Sequence, residues 1–323
     1  MKTLYIIGNG FDLHHYLKTS YYDFSIYLRE SDRKLYDILE KFISYPTSDK
    51  DLWAKFEENL ANLDAEEILS ENSNYLPDYG SEEFRDKDRY AFPDTMQQYY
   101  ERLTEGLFDD FTMFIGQVEF ASSSYTRKIE LDRSATFLTF NYTETLEKLY
   151  SIDRSNIVYI HNSAFEGKKI VLGHGINPET YEEKILEHPD DIEPEQLEDW
   201  YNSNISYDYS YDEGKKLLMQ YFKETFKPTN EIISKHINFF NALVNIEEVI
   251  VLGHSISQVD LPYFTQIVQS VKSNVKWTIS FYNTDEYKRH LKILNGLNID
   301  HKNVKFIQLV DLLESNRQLK LDF

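Results

Sequence analysis

Four short apolar runs in the chain each stop abruptly at polar residues. Leu4-Tyr5-Ile6-Ile7 leads into Gly8-Asn9-Gly10-Phe11-Asp12, and Thr136-Phe137-Leu138-Thr139-Phe140 into Asn141-Tyr142-Thr143. Ile157-Val158-Tyr159-Ile160 leads into His161-Asn162, and Val249-Ile250-Val251-Leu252 into Gly253-His254-Ser255. Short runs of this kind, bounded by turn formers, predict buried strands. Further strand signals lie at 170–172, 276–282 and 304–309. From Thr19 to about Ile129 the period becomes helical: Phe24, Tyr27 and Leu28; Leu35, Ile38, Leu39 and Phe42; Trp53, Phe56, Leu60 and Leu63; Leu103, Leu107, Phe111 and Phe114. Pro46 and Leu76-Pro77-Asp78-Tyr79-Gly80 mark breaks between these helices.

The pattern predicts an α/β protein with a Rossmann-like parallel sheet and large helical insertions, forming a single functional unit. Its core spans 1–18, 131–178 and 249–310, with a helical insertion at 19–130 and an acidic insertion at 179–248. Ligands of open parallel sheets bind beyond the carboxyl ends of the strands, so the four polar endings predict one shared crevice. Residues 179–214 carry thirteen acidic side chains against the single Lys184, the composition of a solvated insertion that repels polyanions. Trp200, Tyr207, Tyr209 and Tyr211 are the residues expected to pack it onto the body.

Composition narrows the function. The formal charge of -21 argues against broad nucleic-acid binding, leaving room only for a local basic groove. The absence of cysteine excludes disulfides and thiolate metal sites. The 25 tyrosines either fill half-buried helix faces or include rings that stack on a base. Met1-Lys2-Thr3 precedes only a four-residue apolar stretch, shorter than the roughly 7–15 residues of a signal-peptide core. No apolar stretch approaches the roughly 20 residues of a membrane span, so a cytoplasmic protein without membrane contact is expected.

Each motif read alone has a structural alternative. Gly8 and Gly10 supply two glycines of a dinucleotide turn, but Leu13 stands in the third position, so the hydride-transfer fingerprint is incomplete, and a tight turn closing the first strand is the structural alternative. No Gly-x-x-x-x-Gly-Lys-Ser/Thr loop exists. Asn141-Tyr142-Thr143-Glu144 has the form of a capping box, so Asn141 is either a helix cap or a ligand residue. His161 is either a hydrogen-bonded structural histidine or a functional one. Four such endings in one sheet favour function.

The ordered blocks Leu4-Tyr5-Ile6-Ile7-Gly8-Asn9-Gly10-Phe11-Asp12-Leu13 with Lys18-Thr19-Ser20-Tyr21, Trp53-Ala54-Lys55-Phe56-Glu57, Phe137-Leu138-Thr139-Phe140-Asn141-Tyr142-Thr143, Val171-Leu172-Gly173-His174-Gly175, and Leu252-Gly253-His254-Ser255 with Asp260 resemble the abortive-infection AbiH family of bacteria. The resemblance implies defence against bacteriophage, in which an infected cell stops growing or dies before phage mature. More distantly, the blocks resemble sirtuin-like NAD-consuming antiphage domains, which carry a Gly-Ala-Gly turn, Thr-Asn-Tyr-Asp, His-Gly and a late Gly-Tyr-Ser followed by aspartate. Thr143 stands where those have the acid, and Asn162 where they have the glycine. The four zinc-binding cysteines of deacetylating sirtuins are missing, which argues against protein deacylation.

The resemblance implies that NAD is substrate or ligand, with no tightly bound cofactor and no metal. Asn141 would hold the nicotinamide ribose and a water, and His161 would act as general base. His174 is the alternative base or a pocket residue, and Asp12 either caps the helix or polarises the ligand. Gly8, Asn9, Gly10 and Phe11 would take the diphosphate, and Gly253, His254 and Ser255 would close the adenosine side, with Asp260 either fixing that loop or binding a ribose hydroxyl. Expected partners are the nucleotide, a phage-derived trigger and a second copy of the chain. Two other readings stand beside NAD hydrolysis: a non-catalytic module sensing an ADP-ribose-like nucleotide, and a metal-dependent nuclease using Asp12, His174 and His254.

Overall fold

The computed structural model describes residues 2–43, 53–182 and 208–313. Its centre is a six-stranded, all-parallel sheet of β1 (Thr3–Ile7), β2 (Thr136–Thr139), β3 (Ile157–Tyr159), β4 (Glu248–Leu252), β5 (Lys276–Ser280) and β6 (Val304–Ile307). The spatial order is β3-β2-β1-β4-β5-β6. The chain steps outward from β1 to β3, returns to β4 on the other side of β1, and steps outward again to β6. The direction therefore reverses between β1 and β4, where doubly wound folds place their ligand crevice.

β1 is buried along its whole length because helices cover both sheet faces. Its side chains alternate between two cores. Leu4 and Ile6 pack with Val249, Val251 and Ile279 and with Tyr263, Phe264 and Ile267 of the helix Leu261–Ser270. Tyr5 and Ile7 pack on the opposite face with Phe11, Phe137, Leu146, Leu149 and Tyr150.

The helical insertion has a core of its own. Ser20 starts the helix Tyr21–Ser31 through a reciprocal box with Asp23, and Asp32 caps Arg33–Phe42 by accepting from the Leu35 amide. Phe24, Leu28, Leu35, Leu39, Phe56, Leu60, Leu103, Leu107 and Phe111 converge there, as their helical spacing predicts. Each fully buried side chain of this kind contributes about 1.5–3 kcal/mol. Tyr142, Ile170 and Leu172 join this core and so weld it to the strand ends.

Residues 170–172 are not a strand. Their backbone bonds elsewhere: the Val171 amide donates to the His161 carbonyl at 2.9 Å, and the Val171 carbonyl accepts from the Tyr142 hydroxyl at 2.8 Å. The break at 76–80 is irregular backbone, whereas Pro46, Trp200 and Tyr207 lie outside the described residues. Tyr211 stacks on Phe92 at 5.8 Å, and Tyr209 is exposed. Among the described residues, no helix is long and apolar enough to cross a membrane.

Candidate functional site

The turns after β1 and β4 meet directly at the switch point. The Gly8 amide donates to the Leu252 carbonyl at 3.0 Å, and the Gly10 amide to the Gly253 carbonyl at 2.7 Å. A Cβ on Gly8 would lie 2.5 Å from the His254 Cα, and one on Gly253, whose φ is +65°, would lie 2.1 Å from the Phe11 nitrogen. Close packing of two backbones thus accounts for the glycines. Phe11 is a core residue, and its amide donates to the Gly8 carbonyl. The Asn9 carboxamide is engaged with Thr19, donating to its carbonyl at 3.0 Å and accepting from its hydroxyl at 2.7 Å. Ser255 is exposed.

Beside this seam lies a buried polar pair. Asp12 sits inside the short helix Asn9–His14, whose N-cap is Gly8, so it does not cap the helix. Its Oδ2 accepts from the Thr143 hydroxyl at 2.6 Å, while Oδ1 has no hydrogen bond. Burial pushes its carboxyl up to about 6, against the opposing pull of Thr143, Thr145 and Asn141. Asn141 does not cap a helix either: the following helix, Thr145–Tyr150, has Glu144 at its N-cap, without a side-chain bond. The Asn141 carboxamide is close enough to ease the charge on Asp12, yet neither of its buried polar atoms makes a hydrogen bond. Unpaired buried amides are rare because each costs about 1–3 kcal/mol.

His161 occupies the equivalent place on the neighbouring strand, two residues past Tyr159 as Asn141 is two past Thr139, and Tyr159 and Thr139 are register partners. It is 2% exposed. Its Nε2 lies 3.7 Å from Asp260 Oδ1 and makes no hydrogen bond. His254 Nδ1 accepts from the Ile256 amide at 2.9 Å, which assigns the proton to Nε2, 3.7 Å from Asp260 Oδ2. Phe140 separates the rings edge-on, at 5.2 Å from His161 and 4.3 Å from His254. Burial holds both imidazoles in the neutral form, His254 down to about 4 and His161 well below its usual range, with Lys227 adding to the effect.

Two charged residues complete the cluster. Lys227 is almost wholly buried, donates to Asp260 Oδ1 at 3.3 Å and pairs with Glu57, which also accepts from the Tyr21 hydroxyl. Burial works to raise the Asp260 carboxyl, but the Lys227 ammonium, the leading opposing charge, reverses this and the carboxyl lies at about 2. Burial likewise works to lower Lys227, and Asp260 and Glu57 reverse it. Sequence reasoning assigned no role to Lys227 or Glu57. Buried lysines are rare, and Phe226-Lys227-Pro228 gives no local sign of one. Glu57 stood within a family block, which is the signal that could have marked it.

His174 belongs elsewhere. Its Nε2 bonds the Phe222 carbonyl at 3.1 Å and its Nδ1 accepts from the Ile176 amide at 3.2 Å, so both ring nitrogens are engaged by backbone. Asp12, His174 and His254 therefore build no common ligand set. Among the described residues, no group of three histidine or acidic side chains is arranged to hold a metal ion.

The family model described as bacteriophage abortive infection AbiH matches residues 4–281. No curated protein and no solved structure matches the chain.

Proposed function

The chain belongs to the bacteriophage abortive infection AbiH family and hence to phage defence, and from that premise we propose that it is an effector that binds NAD or a related nucleotide and hydrolyses the nicotinamide–ribose bond. The observation that carries this reading is the pair of adjacent strand ends bearing Asn141, whose buried carboxamide has no partner, and His161, whose Nε2 makes no hydrogen bond. A carboxamide with free donor and acceptor suits ribose hydroxyls or a water, and a neutral imidazole suits proton acceptance. The bond between ribose C1′ and the pyridinium nitrogen would break with its electron pair passing to nicotinamide. A water oxygen would bond to C1′, and its proton would pass to His161.

Both departures from the sirtuin-like pattern have a physical equivalent that supports the reading. Asn162 has φ +62°, the left-handed conformation that glycine adopts freely and asparagine tolerates best among the others, and its Nδ2 donates to the Lys169 carbonyl at 2.8 Å. Thr143 lacks the acid but donates to Asp12, so a carboxylate occupies the neighbourhood from another segment. The glycine turn lends less support, because the Gly8 and Gly10 amides and the space above these glycines are taken by the end of β4 and the turn after it. Burial of Asn141 and His161 means that ligand entry requires movement of the surrounding segments.

Incubating the purified chain with NAD and measuring nicotinamide release tests the proposal, with Asn141→Ala and His161→Ala as the inactive comparisons. Binding of ADP-ribose by calorimetry without nicotinamide release would instead identify a sensing module. Neither binding nor release, in a sample that protects cells, would refute the nucleotide reading.

A further inference from the structure

The Asp260 carboxylate is shared between one ammonium and two imidazoles. Its Oδ1 accepts from Lys227 at 3.3 Å and lies 3.7 Å from His161 Nε2, while Oδ2 accepts from Ser257 at 3.1 Å and lies 3.7 Å from His254 Nε2. The loop carrying Lys227 is held in place by an exchange of backbone bonds with His174: the His174 amide donates to Thr225 and the Lys227 amide donates to His174, both at 2.8 Å. A Cβ at Gly173 would lie 2.0 Å from the Thr225 carbonyl oxygen, so that contact tolerates no side chain. Buried ion pairs are often no more stable than well-packed apolar residues, so stability alone does not explain a buried, doubly paired lysine.

We infer that Lys227 is a positioning residue for His161: by holding the Asp260 carboxylate it denies that anion to the imidazole and leaves the Nε2 lone pair free to accept a proton. This rests on the reading of His161 as the proton acceptor and adds the residue that keeps it one. The polar and titratable groups facing His161 are Asp260 at the start of the helix Leu261–Ser270, Lys227 from the loop before Thr229–Lys235, His254 after β4, and the rings of Tyr142 at 6.2 Å and Tyr263 at 5.5 Å. Asp260 is the anion among them, and Glu57 acts on it through Lys227. With the ammonium gone, His161 and His254 are the cations that Asp260 can recruit.

The test is a pH titration of the histidine signals by NMR in the full chain, from about pH 5 to 8, with His161 assigned through His161→Gln. In the wild type, His161 is expected to stay neutral throughout. In Lys227→Met it should titrate inside this range, its midpoint rising by more than about one pH unit. If that variant does not fold, Lys227→Met with Glu57→Gln removes one charge of each sign and should show the same shift. A wild-type His161 that titrates near 6.5, or a folded double variant whose His161 stays neutral, overturns the inference. The result does not depend on the substrate: a shifted titration in a chain that releases no nicotinamide upholds the role of Lys227 and removes the catalytic reading. In an active chain, the acidic limb of kcat/KM should move up with the imidazole, whereas a merely structural lysine would lower activity without moving that limb.

Discussion

Asp12 shows at the scale of one residue how burial turns an ordinary side chain into a sensitive one. Its folded value of about 6 stands above the 3.8 of a free aspartate, so the folded chain binds that proton more tightly than the unfolded chain. The associated stability is present in full below about pH 4 and is lost as pH rises through about 6, a change of about 3 kcal/mol. Asp12→Asn removes this dependence. Urea denaturation should therefore show the variant gaining up to about 3 kcal/mol on the wild type between about pH 4 and pH 8, and a constant difference across that range would contradict it. Asn141 is a second case: with no hydrogen bond to lose, Asn141→Ala should stay within about 1 kcal/mol of wild-type stability, whereas the loss of a buried, satisfied carboxamide costs more. The sequence identified both positions as special but left capping as an equal alternative for each. Only the helix starts, Gly8 and Glu144, remove capping from consideration.

At the scale of elements, the strand runs were legible because a parallel strand buried on both faces reads as an unbroken apolar run, and β1 to β4 all end at, or one residue before, the point where the apolar run stops. The misread segment at 170–172 has the same composition, but Tyr142 and His161 provide its backbone partners in place of a neighbouring strand. Composition cannot distinguish those two fates. The glycine turn was legible as a turn, and its reason for being glycine was not. A methyl group on Gly8 meets the His254 backbone, so Gly8→Ala should push apart the turns after β1 and β4 and cost about 3 kcal/mol, the upper range for overpacking. Chemical denaturation checks this. A Gly8→Ala chain with wild-type stability but no affinity for nucleotide would restore the phosphate-cradle role that its sequence first suggested.

Over the whole molecule, the electrostatics are those of a folded chain full of neutral histidines. Burial holds His14, His15, His174 and His254 at about 4, and keeps His161 well below its usual range. Their folded values lie below the unfolded one, so the stability they carry is complete above about pH 6.5 and is lost as pH falls towards 4. The four held at about 4 contribute up to about 2 kcal/mol of loss each at pH 5, and together they outweigh the opposite effect of the single Asp12. The urea midpoint should fall steeply between about pH 7 and pH 5, before most carboxylates titrate, and a flat midpoint over that interval would contradict the burial of these rings. The same long-range assembly explains what the sequence could not disclose: Glu57, Lys227 and Asp260 are far apart in the chain and become one charged cluster only in the folded molecule. The central claim, that Asn141 and His161 serve NAD cleavage in phage defence, is tested most directly by following NAD in infected cells that the chain protects. Cellular NAD should collapse after infection with the wild-type chain and persist with an equally abundant Asn141→Ala chain, which should also fail to protect. Protection by the wild type with NAD undiminished would contradict the account.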